Sequence, residues 1–202
     1  MNPQQELPPN YLDEISPRAQ KRSFVPTKIQ LIALLGVFAM VIIGIFALII
    51  GQLNSARTEP WESLTARLAS TNKVVDSSVG KIKNSQLRST NSNLKILLTN
   101  TQRDLAAPLA AIEINSKKLS ASVIVAESSE KMLNRLEDAR LNAKYDSTYS
   151  REMSYQLSNL LTLLQQLYSS SSNANNKAFL QTTYDNFAPV QKSFSEFSAS
   201  NE

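Results

Sequence analysis

The sequence predicts an all-α protein: one N-terminal transmembrane helix followed by an up-down helical bundle of two related hairpins plus a short extra helix. Three observations carry this. Leu31–Ile50 reads LIALLGVFAMVIIGIFALII, twenty residues without a charge or a strongly polar group; as a helix at ~1.5 Å per residue it matches the ~30 Å hydrocarbon layer of a bilayer. After Gly51 the chain holds one glycine, Gly80, and three prolines, Pro60, Pro108 and Pro189. The same region repeats its apolar residues at helical spacing, most clearly in Tyr145, Tyr149, Met153, Leu157, Leu160, Leu164 and Leu167.

Residues 1–28 read as a disordered cytoplasmic tail. Five of the eight prolines fall there (Pro3, Pro8, Pro9, Pro17 and Pro26) among Gln and Asn. Asn10 could cap one helical turn, which Pro17 would stop. Tyr11, Leu12 and Ile15 would then be the docking side chains for a cytoplasmic partner; the alternative is a plain soluble leader. Residues 29–53 read as an uncleaved signal-anchor. The apolar run is longer than a secretory h-region, and it exits through Asn54-Ser55-Ala56, a poor cleavage site. Arg18, Lys21, Arg22 and Lys28 precede it, which puts the N-terminus inside and the C-terminal part outside.

Within the span, Ala33, Gly36, Met40, Gly44, Ala47 and Gly51 fall within an arc of about 80° at ~100° per residue. Small residues on one face allow close helix approach in lipid, so this seam is the candidate surface for homo-oligomer or partner packing. The span carries no ionisable residue to serve transport.

Residues 54–202 read as the extracytoplasmic bundle. Thr58 is the candidate cap of a first helix with Leu64, Leu68, Val75, Val79 and Ile82 inward, and Arg88–Ser92 reads as the break after it. A second helix carries Leu94, Leu98, Leu105, Leu109 and Ile112, with Pro108 as a kink or restart. A short helix bears Met132, Leu133, Leu136 and Ala139. After the Tyr145–Leu167 helix and a Ser169–Asn173 loop, a last helix carries Leu180, Phe187, Val190, Phe194 and Phe197. Val123-Ile124-Val125 is the one strand-like run. A shift of 82 residues places Ser89, Asn91, Asn93, Lys95, Leu98, Thr101 and Ala106 on identical residues at 171–188. Two such hairpins, each with an apolar face, would pack as a four-helix bundle.

The stretch Leu136–Phe194 carries a family resemblance. Tyr145-Asp146 followed by Tyr149, the Leu-rich helix, and Asn173-x-x-x-Lys177-Ala178-Phe179 resemble the extracytoplasmic ferritin-like four-helix bundles of bacteria described as outer-membrane proteins or as proteins of unknown function. Asn93-Leu94-Lys95 is similar to that family's first half. The resemblance covers roughly residues 60–198 and implies the fold rather than an activity. Members commonly bear histidines on the bundle helices. Here Leu105, Gln156 and Val190 stand near those places, so the resemblance implies no metal site.

Composition narrows the chemistry. No Cys is present, hence no disulfide or thiolate, and no His, the commonest general base and metal ligand. No Gly-rich phosphate loop or Gly-x-Ser-x-Gly elbow occurs. Glu127 and Glu130 share a helical spacing, but Lys131, Arg135, Arg140, Lys144 and Arg151 interleave with the carboxylates, and Glu127–Lys131 and Asp76 with its Lys neighbours read as surface pairs. Net charge is +4, too thin for nucleic acid. Tyr145, Tyr149, Phe187, Phe194 and Phe197 read as core, and Trp61 as an interfacial anchor. The expectation is a non-enzymatic interaction module of the bacterial cell membrane: single-pass, without a cofactor, bound to the lipid bilayer and to a protein or envelope partner. The alternative is a sensory or ligand-binding bundle coupled through the membrane helix to a cytoplasmic partner.

Overall fold

The computed structural model describes residues 58–200, and all regular structure in them is helical. The first described helix, α1, runs through residues 58–78. Most of its buried residues, Trp61, Leu64, Leu68, Thr71, Val74/Val75 and Ser78, recur at about three or four positions and form one inward stripe, with Ala66 buried off it. Helix α2, Ser85–Asp104, begins at Asn84, whose extended backbone lets its side chain accept the Leu87 N–H at 3.1 Å. The Arg88–Ser92 stretch expected to break the pattern lies inside α2. Its Asn91 is buried, and helix geometry continues through the polar residues because that single inward position suffices.

Pro108 breaks the helix earlier than its own position. It has no N–H for the Asp104 carbonyl, and α2 stops at Asp104. A short α3, Ala106–Ala110, follows. It closes with Glu113 in the left-handed region (φ 59), the Ile114 N–H bonding Leu109 O and the Glu113 N–H bonding Ala110 O. This is a Schellman end without its usual glycine. The second helix therefore ends before Ile112, which the apolar spacing places on it. Val123-Ile124-Val125, strand-like in sequence, lies in helix α4, Ala121–Ala126, with Val123 alone buried. Helix α5, Glu130–Leu141, turns Met132, Leu136 and Ala139 inward. It ends in a second Schellman motif: Lys144 N–H to Ala139 O, Ala143 N–H to Arg140 O, and Ala143 at φ 56. Helices α6, Tyr145–Ser170, and α7, Ala174–Ala199, form a hairpin across residues 171–173, with Asn173 capping α7 through the Asn175 and Asn176 N–H groups.

Named contacts fix the helix directions. Arg67 of α1 reaches Asn159 of α6, while Ser78 at the other end of α1 meets Tyr145, so these two helices run antiparallel. Asp146 of α6 bonds the chain at Lys83 and Asn84, where α2 starts, so α2 and α6 begin at one end and run parallel. The connection through α3, α4 and α5 must therefore traverse the length of the bundle. The up-down order expected from sequence is replaced by a single long crossover between two antiparallel hairpins, one of the recognised four-helix connectivities.

The hairpins correspond at a different register from the one read in the sequence. A shift of 89 places the caps Asn84 and Asn173 together and matches buried with buried: Leu64/Met153, Leu68/Leu157, Val75/Leu164, Leu87/Asn176, Leu98/Phe187 and Leu105/Phe194. The shift of 82 instead lays Asn91, inside α2, on the cap Asn173. Its identities join positions that are not structurally equivalent. Two helical hairpins of similar length share such a burial pattern through the common 3.6-residue period.

Candidate functional site

The buried tyrosines of the core are spent on neighbouring polar groups, and Asn72 Oδ1 is the one buried side-chain polar atom among the described residues without a partner. Tyr145 and Tyr149 stand one helical turn apart on α6, with rings stacked at 6.0 Å, and Phe194 of α7 meets Tyr149 edge-on at 5.8 Å. The Tyr145 hydroxyl donates to Ser78 Oγ at 2.8 Å, and Ser78 donates onward to the Val74 carbonyl at 2.8 Å. The Tyr149 hydroxyl donates to Asn91 Oδ1, whose amide lies 3.5 Å from Val75 O. Burial pushes both tyrosines upward in pKa; for Tyr145 the Ser78 hydrogen bond partly opposes it. These rings were expected to be core and are. The polar pair joining α1, α2 and α6 was not read from sequence, because Ser78 and Asn91 sit among many other Ser and Asn residues.

Two attachments hold the crossover to α1. Glu62 accepts the Ser120 N–H at 3.0 Å and the Ser120 hydroxyl at 2.7 Å. Arg67 forks onto Glu127, Nε and Nη2 each 2.8 Å from a carboxylate oxygen, and its Nη1 bonds Asn159 O at 3.0 Å. Glu127 therefore pairs across the bundle with Arg67, instead of lying on a solvated face beside Lys131. Asp76 pairs across helices with Lys95 of α2, at 2.6 Å, instead of with its Lys neighbours in sequence. Glu130 is exposed, and no group of three or more His, Cys, Asp or Glu able to hold a metal ion occurs among the described residues. Trp61 is 5% exposed and packs in the core, which removes it as an interfacial anchor; Val79, expected inward, is 54% exposed in the turn after α1.

Open chemistry lies on the surface. At the end where α2 and α6 start, a groove of about 410 Å³ is lined by Lys81, Lys83, Arg140 and Lys144 with Asp146 and Phe197. Glu137 neutralises part of it: Arg140 holds its carboxyl below the usual range, at 2.6 Å, and Lys81 lies at 3.8 Å. Asp146 is occupied by the backbone N–H groups of Lys83 and Asn84. Lys83 and Lys144 enter no ion pair among the described residues. A second groove, about 420 Å³, follows the α6–α7 seam and is lined by uncharged residues, Gln165, Tyr168, Ser169, Gln181 and Tyr184 over Leu164 and Leu180. Tyr168 is 40% exposed, and the Lys177 ammonium sits 5.2 Å over its ring.

No helix among the described residues is long and apolar enough to cross a membrane. The seam residues Ala33, Gly36, Met40, Gly44, Ala47 and Gly51, and the docking residues Tyr11, Leu12 and Ile15, lie outside the described residues. Of the positions standing near the family's histidines, Leu105 and Val190 are buried core and Gln156 is half-buried. No protein-family model, curated protein or solved structure matches the chain.

Proposed function

We propose that this chain is a non-enzymatic binding module of the bacterial envelope. Its helical bundle is held outside the cell membrane by the Leu31–Ile50 segment, and it recognises a protein or envelope component through surface grooves. The observation that carries the reading is the use of the core: Tyr145 pairs with Ser78 and Tyr149 with Asn91, only Asn72 Oδ1 among the buried side-chain polar atoms of the described residues lacks a partner, and the other unengaged polar groups line open grooves. A closed core with wet, mixed grooves suits recognition between surfaces. The extracytoplasmic ferritin-like resemblance adds no activity.

The membrane placement rests on the apolar run and the cations before it. The test is capture from solubilised membranes with the full chain as bait. A partner retained by the wild type and lost when Lys83 and Lys144 become Glu, or when Tyr168 and Tyr184 become Ala, supports the reading. Capture that survives both sets of changes, or that requires only residues 1–28, refutes it.

A further inference from the structure

The uncharged groove of the α6–α7 seam has a construction of its own. Each helix contributes the same pattern to it, Gln165-x-x-Tyr168 on α6 and Gln181-x-x-Tyr184 on α7. Residues three apart share a helical face, so each Gln lies beside its Tyr. The helices are antiparallel across residues 171–173, and Tyr168 stands nearer that turn than Tyr184 by eight residues, ~12 Å along the axis at ~1.5 Å per residue. The two amides fall between the two rings. The floor is Leu164 and Leu180, both fully buried.

Three details narrow the ligand. No charged residue lines the groove. The Lys177 ammonium over the Tyr168 ring pins that ring in place. Gln181 Nε2 donates to Asp185 Oδ1 at 2.9 Å, which orients the amide and leaves its carbonyl oxygen to accept a hydrogen bond. The result is two amphipathic ring platforms separated by hydrogen-bonding amides and the Ser169 hydroxyl. That combination matches a molecule with alternating C–H faces and hydroxyl edges. An anion would meet only Lys177, already engaged over the Tyr168 ring, with Asp185 beside Gln181 to repel it, and a purely apolar ligand would strand the amides without partners.

We propose that this groove binds a neutral saccharide chain, Tyr168 and Tyr184 stacking on sugar rings while Gln165, Gln181 and Ser169 bond the hydroxyls between them. The proposal rests on the binding-module reading and names one ligand class for it. Its test uses the purified full chain in a sugar-free detergent, titrated calorimetrically with maltotriose and with chitotriose. At least one should bind saturably, and Tyr168→Ala and Tyr184→Ala should each weaken it about tenfold or more. Tyr155→Ala should leave binding unchanged; that residue is 64% exposed and lines another groove of the same helix pair. Circular dichroism checks that each variant is folded, and sedimentation checks whether the groove is instead covered by a second copy. Absence of saturable binding to both sugars overturns the proposal, as does binding that survives both Tyr changes, or a dimer that Tyr168→Ala dissociates. If such a failure comes with successful membrane capture that depends on Lys83 and Lys144, the binding-module reading stands and the saccharide alone is withdrawn.

Discussion

Replacing Tyr149 with Phe removes one oxygen from the centre of the bundle. Tyr149 is fully buried, and Asn91, its acceptor, is 2% exposed. Water cannot take the place of the lost hydroxyl, so Asn91 Oδ1 is left buried without a partner. That penalty is about 1–3 kcal/mol. Asn91→Leu removes the acceptor of the Tyr149 hydroxyl and leaves it only the neighbouring Ser78, at a cost of up to a similar amount. The double variant has no orphaned group at this pair: the hydroxyl and the amide leave together, and the added bulk of the Leu methyl groups enters the Asn91→Leu single and the double variant alike, so it drops out of the comparison. Its loss should be smaller than the sum of the singles by at least ~1 kcal/mol. Trp61, the only tryptophan and 5% exposed, reports unfolding through its emission in urea titrations of the full chain. Additive losses, or a Tyr149→Phe variant as stable as wild type, would refute the lock.

The same tyrosines set an alkaline limit. Burial raises their folded pKa above the unfolded value, so the unfolded chain releases protons first. Their stabilisation is complete below pH ~10 and falls above it, by up to ~1.4 kcal/mol per pH unit for each tyrosine kept neutral. Tyr149→Phe should flatten that slope, measured by urea midpoints from pH 8 to 11. Ala143→Gly and Glu113→Gly each place glycine at a left-handed Schellman position and should raise the thermal midpoint, by about 0.5–1 kcal/mol of stability per site. Glu127→Ala removes the Arg67 fork; we expect a loss of about 1.5–3 kcal/mol, with faster amide exchange confined to residues 111–129. Spin labels at positions 83 and 144, both exposed, should report a short distance, since α2 and α6 start together. An up-down-up-down order would separate them by about 30 Å, the length of α2 at ~1.5 Å per residue.

The helices were legible wherever apolar residues repeat at 3.6 without interruption. Tyr145 to Leu167 and Leu180 to Phe194 lie on α6 and α7 as the spacing predicts. Helix ends were less legible. Two of them close on Glu113 and Ala143 in the left-handed region, where a sequence reader looks for glycine. The Arg88–Ser92 stretch looked like a loop because helix propensity is a local quantity, whereas the burial of Asn91 against Tyr149 is a tertiary one. The true turn at 79–84 contains Val79 and Ile82, residues that continue the apolar period past the end of the helix. Connectivity was hidden for a related reason. Apolar stripes say which faces meet, but the crossover is anchored by Glu62–Ser120 and Arg67–Glu127, contacts between residues about sixty positions apart. The grooves were equally hidden. Gln165, Tyr168, Gln181 and Tyr184 form a set only once α6 and α7 are laid antiparallel.

The central functional claim is that the bundle stands outside a membrane with residues 1–28 inside. The chain has no cysteine, so a single introduced thiol is reported without background. Ser169→Cys in the exposed end of α6 and Ser16→Cys in the tail are labelled in intact cells with a membrane-impermeant maleimide. The account predicts that Cys at 169 labels in intact cells and Cys at 16 labels only after lysis. Labelling of position 16 in intact cells with protection of position 169 would contradict it.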